Sequence, residues 1–253
     1  MRPKFPSAFE LFYAVFEGTI DDVRARLAAG DDLHARSAQG ATPLFHALRL
    51  GQDLSKADLL FEAGARVDVW DNLGMQPVHW TAGSSYGTDV SRLAWLLGRG
   101  AEPSTAVRQS ADLQVHPIGW TPLHIATDRA FIFGTQLLLE RHANVNASSA
   151  DGSTALHVAA GKSHVYKALI RKLLDAGANL DAIDAQGRTA LHILAEKFGR
   201  YRKSAIQLLR HRGARIGVRD FKGRRPIDLV VGEHPDVASV RELLTLDSLP
   251  AAE

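Results

Sequence analysis

Histidine is the residue type in this sequence that most directly suggests chemistry, because imidazole serves as a metal ligand and as a general acid or base. The chain has 11 histidines. Four of them each follow a threonine or glutamine by three residues, namely His79, His124, His157 and His192. A metal site needs three or four ligands that converge on one point, whereas these four are spread one per repeated stretch. We therefore predict that they are structural and form a row along the molecule.

Other reactive constellations are missing from the sequence. It has no cysteine, which excludes disulfides, thiolate metal sites and cysteine nucleophiles. It also has no Gly-x-Ser-x-Gly elbow, no phosphate-cradling glycine loop and no paired carboxylates at a spacing typical of acid–base catalysis. We therefore expect no enzymatic activity, no cofactor, no metal and no small-molecule substrate.

The histidines lie in a repeating unit whose clearest copy is Gly119–Ala126, which reads GWTPLHIA. Further copies start at Gly40, Gly74, Gly152, Gly187 and, in a worn form, Gly223. Three of the intervals between copies are about 33 to 35 residues long. Each copy is followed by a pair of leucines and then a short Gly-Ala-like turn, as in Leu173-Leu174 before Gly177-Ala178.

This pattern resembles the ankyrin-repeat family over nearly the whole chain. The resemblance implies an all-α repeat fold, in which helix pairs with β-hairpin-like finger loops stack into a solenoid. It also implies that the four motif histidines hydrogen-bond to neighbouring repeats.

The repeats divide the chain into a single ankyrin-repeat domain over residues 1–253, with seven repeats including two caps. The N-terminal cap is 7–36, the internal repeats are 37–70, 71–102, 118–148, 149–183 and 184–219, and the C-terminal cap is 220–246, followed by a tail at 247–253. We expect the N-terminal cap to have a polar outer face. Thr19 and Asp22 have the spacing that caps the start of a helix.

Residues 103–117 form an insertion between the third and fourth repeats, because the interval from Gly74 to Gly119 is about a dozen residues longer than the others. In a solenoid such an insertion must bulge from the finger loop and leave the stacked helices undisturbed. It is either an added binding element or a tolerated surface loop, which costs little free energy.

Charge and hydropathy limit the kinds of partner that this protein can bind. The formal net charge is +2, and no run is long enough to span a membrane. Between Arg188 and Arg225, however, 12 lysines and arginines face only Glu196 and Asp220. A basic end of this kind favours an acidic protein partner, while nucleic acid is disfavoured since no aromatic residues are interleaved. We expect a cytoplasmic location with no membrane partner.

The resemblance also indicates a binding surface, because partners of ankyrin-repeat proteins usually lie against the concave face, formed by the finger tips and the first helix of each pair. On this sequence that surface includes Arg49, Leu73, Met75, Ile118, Trp120, Asp128, Arg129, Lys162, Gln186, Arg188, Lys197, Phe198, Lys222 and Arg224. Met75 and Trp120 are predicted anchors, since such side chains are enriched in interface cores. Packing of Trp120 against the neighbouring hairpin is the alternative.

The sequence thus favours a non-enzymatic protein that binds one protein partner in its concave groove. Inhibition or sequestration of that partner, as in bacterial immunity or self-protection, is the expected role. One alternative is a secreted or translocated effector that binds a host protein. A second alternative is a polyanion-binding module that acts through the basic C-terminal third, for which binding should weaken steeply with salt.

Overall fold

The structure is a computed structural model that describes residues 9–50, 54–83, 89–108, 116–162, 167–196, 202–231 and 237–245. These residues contain 13 α-helices and one short 3-10 helix, arranged in pairs. The first helices of the pairs are α1 (Glu10–Phe16), α3 (Pro43–Leu50), α5 (Pro77–Ala82), α7 (Pro122–Asp128), α9 (Ala155–Gly161), α11 (Ala190–Glu196) and the 3-10 helix (Pro226–Leu229). The second helices are α2 (Ile20–Ala28), α4 (Ser55–Glu62), α6 (Ser91–Gly98), α8 (Ile132–Glu140), α10 (Lys167–Asp175), α12 (Arg202–His211) and α13 (Val237–Leu243).

The helix pairs stack side by side into one elongated array. The first helices pack on one another in a continuous row from α1 to the 3-10 helix. The second helices form an adjoining row, in which α2 contacts α4, α8 contacts α10, α10 contacts α12, and α12 contacts α13. Small and aliphatic side chains fill the space between the rows, as Leu123, Ala126 and Leu156 show by their complete burial. The predicted all-α solenoid is confirmed.

Helix starts follow the local sequence. The side chain of Thr19 accepts a hydrogen bond from the backbone N–H of Asp22 at 3.2 Å, and the Asp22 carboxylate accepts one from the Thr19 N–H at 2.8 Å. This reciprocal cap satisfies two amides that lack a partner within α2, as the spacing predicts. Pro122 lies in the first turn of α7, where its missing N–H costs nothing.

The four motif histidines link each repeat to the next. His124 Nδ1 accepts the backbone N–H of Thr121 at 3.1 Å, which leaves its proton on Nε2, and Nε2 donates to the Ser153 carbonyl at 3.0 Å. His79, His157 and His192 make the same bonds to the carbonyls of Thr105, Arg188 and Arg224, at 3.1, 3.0 and 3.1 Å. The prediction of a structural row is confirmed.

Burial keeps these rings neutral. Desolvation lowers the pKa of His79 to about 4, although hydrogen bonds to the Thr105 carbonyl and at Gln76 favour the charged form. Desolvation likewise lowers the pKa of His124, His157 and His192. A second proton would remove the acceptor at Nδ1, so the neutral ring is the form that holds two repeats together.

Cations from second helices cap the carboxyl ends of first helices in the preceding repeat. Lys56 Nζ donates to the carbonyls of Ala14, Val15 and Gly18 at 3.4, 2.9 and 2.6 Å. Those carbonyls are at the negative end of α1, where a cation is favoured. This arrangement couples the first repeat to the second through a side chain that the repeat pattern does not identify.

The fingers pair with one another as well as within themselves. Each finger turn closes with a hydrogen bond across the motif glycine, such as Gly152 N–H to the Ser149 carbonyl at 2.9 Å. Neighbouring fingers then share one bond, as from the Ala185 N–H to the Asp151 carbonyl at 2.7 Å. Gly152 has a φ of 75°, which explains why glycine recurs at this position.

Candidate protein-binding surface

The finger tips owe their shape to buried carboxylates. One oxygen of Asp184 accepts the backbone N–H groups of Gln186 and Arg188, both at 2.9 Å. Asp71 and Asp220 make the same pair of bonds in their own fingers. The sequence analysis missed these aspartates, although each is three residues before a motif glycine. They fix the backbone from which the tip side chains project.

The pKa of Asp220 reflects this role. Burial alone would raise it, but hydrogen bonds from the backbone and guanidinium of Arg224 and from the Lys222 N–H outweigh burial and lower it. The Asp220 carboxylate is therefore held charged, and its second oxygen accepts Arg224 Nε at 2.9 Å. The Arg224 guanidinium is consequently committed to its own finger.

Met75 is a core residue and not an exposed anchor. Its side chain is 1% exposed and forms a small cluster with Val107 and Ile125, which are also buried. Leu73, Trp80 and Trp120 pack around this cluster. The predicted role of Met75 as an anchor is therefore wrong, because Val107, from the inserted segment, covers the place where a partner would reach it.

The ends of the inserted segment meet at the base of the fourth finger. Val107 N–H donates to the Trp120 carbonyl at 2.7 Å, and Gly119 N–H donates to the Val107 carbonyl at 2.9 Å. Arg108 stacks on the Trp70 ring, with its guanidinium carbon 3.8 Å from the ring centroid. Residues 109–115 lie outside the described part of the chain. The choice between binding element and tolerated loop stays open.

Trp120 is half-buried between two imidazoles. Its ring stacks on His116 with a centroid distance of 5.4 Å and on His124 with a centroid distance of 6.0 Å. Its other contacts are with the small cluster around Met75. The alternative that the sequence left open, packing within the finger region, describes this geometry, while one part of the ring stays accessible to a partner.

Arg49 and Trp80 form a second aromatic feature of the concave face. Arg49 is exposed, and its guanidinium carbon lies 4.5 Å from the centroid of the Trp80 ring. Trp80 Nε1 donates to Asp71 at 2.9 Å, which places the ring between α5 and the third finger. Leu73 and Ile118, on the third and fourth fingers, are each half-buried.

Charges at the ends of α7 and α9 pair with each other. Lys162 Nζ lies 2.8 Å from a carboxylate oxygen of Asp128, and both side chains are about one-third exposed. Arg129, the next residue, is exposed. Of these three predicted contact residues, only Arg129 therefore offers an uncompensated charge to a partner.

The sixth finger repeats this pairing. Arg188 lies 2.8 Å from Asp184 and 3.3 Å from Glu196, so it spans the gap between the finger and the end of α11. Its Nη2 also donates to the exposed side chain of Gln186 at 3.2 Å. Lys222, at the tip of the last finger, is exposed. The remaining predicted contacts, Lys197 and Phe198, lie outside the described residues.

The basic C-terminal third is largely neutralised by carboxylates from neighbouring repeats. Arg212 pairs with Asp175 at 2.7 Å and Arg215 with Asp181 at 2.6 Å, and both acids lie earlier in the sequence than the basic stretch. Arg225 pairs with Asp228 at 3.2 Å, just beyond that stretch. The net positive charge near these residues is therefore smaller than the count of acids between Arg188 and Arg225 suggests.

An apolar pocket between the first and second repeats was missed from the sequence. It encloses about 290 Å³ and is lined by Phe9, Phe12, Tyr13, Phe16, Ser37 and His46. Phe9, Tyr13 and Phe16 are 43%, 37% and 57% exposed. These residues recur at helical spacing on one side of α1. The sequence predicts a polar outer face for the N-terminal cap, and it did not predict these three exposed aromatic side chains.

His46 forms the floor of this pocket. Its ring meets Phe12 edge-on at a centroid distance of 5.4 Å, and its Nε2 is buried without a hydrogen-bond partner. Burial first, and then the nearby charge of Arg49, lower the pKa of His46. The ring is therefore neutral and apolar in character, like the aromatic side chains around it.

A search for metal-binding geometry among the described residues finds no group of three or more histidine, aspartate or glutamate side chains that could hold an ion. Within that same part of the chain, no helix combines the length and hydropathy that crossing a bilayer requires.

The chain is similar in sequence to proteins that contain ankyrin repeats. A family model for ankyrin repeats, in three copies, matches residues 132–220. The p105 subunit of nuclear factor NF-kappa-B from Gallus gallus is 27% identical over 165 residues, which is 64% of this chain and 16% of the relative. Neurogenic locus notch homolog protein 1 from Homo sapiens is 31% identical over 142 residues, covering 56% of this chain and 5% of the relative. The chain thus spans less than a fifth of the length of these relatives.

Solved structures are similar over a longer range. The human ASB11 ankyrin repeat domain superposes with a TM-score of 0.71 and 25% identity, covering 96% of this chain and 99% of that domain. The ankyrin repeat domain of Bcl-3 gives a TM-score of 0.72 at 24% identity, covering 93% and 97%. The likeness therefore applies to the complete array of helix pairs and not to a few repeats.

Proposed function

We propose, from the premise that this chain is an ankyrin-repeat protein, that it binds one protein partner on its concave face. The observation that carries the proposal is the concentration of aromatic side chains on that face. Trp80 and Trp120 are half-buried in the middle of the array, and both pack against the cluster around Met75. Aromatic side chains on a rigid surface are the usual anchors of protein interfaces.

Ion pairs in the fourth to sixth repeats also support a protein partner, because they give that part of the surface fixed positive and negative groups. Asp128 with Lys162, and Arg188 with Asp184 and Glu196, form a rim of opposite charges that hold one another in place. Such a rim fixes the position of a partner more than it adds affinity. Because these cations already have carboxylate partners, support for an acidic partner is reduced to Arg49, Arg129 and Lys222, which form no salt bridge among the described residues.

We further propose that binding inhibits or sequesters the partner, since a rigid surface that covers part of a protein blocks the activity of the covered part. A bacterial immunity or self-protection role is the proposed setting, and an effector that binds a host protein is the alternative. The relatives named above are vertebrate proteins and support neither setting. The two differ in where the partner is made, in the same cell or in another.

Polyanion binding is the remaining alternative, and the charge pairing weakens its support. Arg212, Arg215 and Arg225 are each within 3.2 Å of a carboxylate oxygen. A polyanion would have to displace those carboxylates to reach the guanidinium groups. Because polyanion binding releases counterions, the affinity for a polyanion should fall by several orders of magnitude between about 50 and about 200 mM salt.

Affinity capture with charge-reversed variants tests the proposal. Arg49→Asp places a carboxylate beside Trp80 on the concave face, whereas Arg171→Asp makes the same charge change at an exposed site on a second helix. We expect Arg49→Asp to lower recovery of the partner from a nuclease-treated lysate by about tenfold, a loss of about 1.4 kcal/mol. Arg171→Asp should leave recovery unchanged, and equal recovery with both variants would contradict the proposal.

A further inference from the structure

Two exposed aromatic features lie at opposite ends of the solenoid. One is the pocket around Phe16 in the first repeat, which the described residues leave open. The other is Phe221, which is 71% exposed and occupies the tip of the last finger. Its backbone N–H donates to the Gln186 carbonyl at 3.0 Å, so the tip is held against the preceding finger. The aromatic lining of the pocket is a contiguous apolar surface, and surfaces of that kind indicate a contact with another molecule.

The pocket suits a single aromatic side chain. Its volume of about 290 Å³ is at the lower limit for a ligand site. Three aromatic side chains from α1, the side chain of Phe9 just before it and the ring of His46 line the pocket. Aromatic rings gain from edge-to-face contact beyond the area that they bury, and the walls supply ring edges and faces on several sides.

The charges around the two features are opposite. Residues 9–36 contain six carboxylates and three arginines, and Glu17, beside Phe16, is exposed without an ion pair among the described residues. Residues 202–231 contain nine lysines and arginines, of which Arg212, Arg215, Arg224 and Arg225 pair with carboxylates. Within them, Arg219 and Lys222 flank Phe221, and neither has a carboxylate partner in the described part of the chain. Such complementarity steers two surfaces together.

We propose that copies of this chain associate head to tail, with Phe221 of one copy inserted into the pocket around Phe16 of the next. The acidic first repeat then faces the basic last finger, and an open assembly keeps one free pocket at one end and one free Phe221 at the other. A contact of this heterologous kind generates rings or open filaments, since it does not pair a surface with itself. The middle of the concave face, around Trp80 and Trp120, stays free for a protein partner.

Two variants that block one end each test the proposal on the purified protein. Phe221→Asp removes the inserted side chain, and Phe16→Asp places a charge in the pocket. Both positions are largely exposed, so both variants should keep the helical circular dichroism of the parent. In sedimentation velocity the parent should gain mass as its concentration rises, whereas each variant alone should stay monomeric.

Mixing the two variants tests the proposed contact most directly. Phe221→Asp keeps an intact pocket, and Phe16→Asp keeps an intact Phe221, so one productive contact remains between them. We expect a complex of twice the monomer mass that grows no further, and higher salt should weaken it because exposed charges are screened. Phe133→Asp, at another exposed phenylalanine on α8, should associate like the parent.

Three results would overturn the proposal. They are a parent that stays monomeric at every concentration, a mixture that shows no complex, or association that persists in either variant alone. In these cases the pocket would be left to a protein partner or to residues 1–8. Because the experiment contains no partner, its outcome is independent of the partner-binding function proposed above.

Discussion

Protonation of His79 is predicted to break the link between the third repeat and the inserted segment that follows it. The ring is fully buried, accepts the Gln76 N–H at Nδ1, and donates from Nε2 to the Thr105 carbonyl. Its pKa is about 4 in the folded chain, against an ordinary value of 6.5. Between these two values the unfolded chain binds more protons than the folded one, so stability falls as the pH is lowered through this window.

The size of the effect follows from the difference of about 2.5 pKa units, at about 1.4 kcal/mol per unit. The full loss is about 3 kcal/mol once the pH is below both pKa values. Between about pH 7 and about pH 5, His79 alone accounts for about 2 kcal/mol. This is a large fraction of the stability of an ordinary domain.

His79→Gln separates this contribution from those of the other histidines. Glutamine keeps a donor that reaches the Thr105 carbonyl but does not titrate. Urea unfolding of parent and variant should therefore show a stability difference that shifts by about 2 kcal/mol between about pH 7 and about pH 5. If the two proteins instead lose stability in parallel, the low pKa of His79 does not contribute to acid unfolding and the reasoning is refuted.

Five further substitutions test the packing. Lys56→Met should lower the free energy of unfolding by about 2 kcal/mol in urea, because three carbonyls at the end of α1 lose a charged donor; no change would contradict the cap. Thr135→Val should raise the melting temperature, since it removes a buried hydroxyl without a partner at a gain of about 1 kcal/mol. Thr81→Val should lower it, because that hydroxyl donates to a carbonyl. Gly119→Ala should lower the melting temperature in calorimetry more than Gly100→Ala does. Both glycines have φ near 85°, but only at Gly119 would a Cβ lie 2.9 Å from backbone atoms. Equal losses would contradict the finger packing.

The repeat pattern predicted the solenoid and the histidine row because both depend on residues that recur at one register. His124 and His157 occupy equivalent places, and each therefore meets the next repeat in the same way. A feature repeated along the chain can be read from one copy. Its geometry is fixed by neighbours that are themselves copies.

Features that depend on one repeat could not be predicted in this way. Met75 holds the same finger position as Ala41, Ser153 and Arg188. That position is buried at Ala41 as well and half-buried at Ser153 and Arg188. The cluster that buries Met75 includes Val107, from the insertion. Nothing in the spacing of the sequence shows where an inserted residue packs.

Charge pairs were missed because the partners are one repeat apart. Asp181 precedes Arg215 by 34 residues, a separation that stacking reduces to 2.6 Å between side-chain atoms. The repeat length makes such pairs predictable in principle, by comparing residues at the same position in successive repeats. The aromatic side of α1 was also readable, since Phe9, Tyr13 and Phe16 recur at helical spacing.

The claim that a protein partner occupies the concave face is tested most directly by cross-linking from defined positions. A photoreactive benzophenone side chain would replace Arg49 beside Trp80, or Arg171 on the outer row of helices, and the captured complex would be irradiated. The account predicts a cross-link to the partner from position 49 and none from position 171. A partner that cross-links from position 171 and not from position 49 would contradict it.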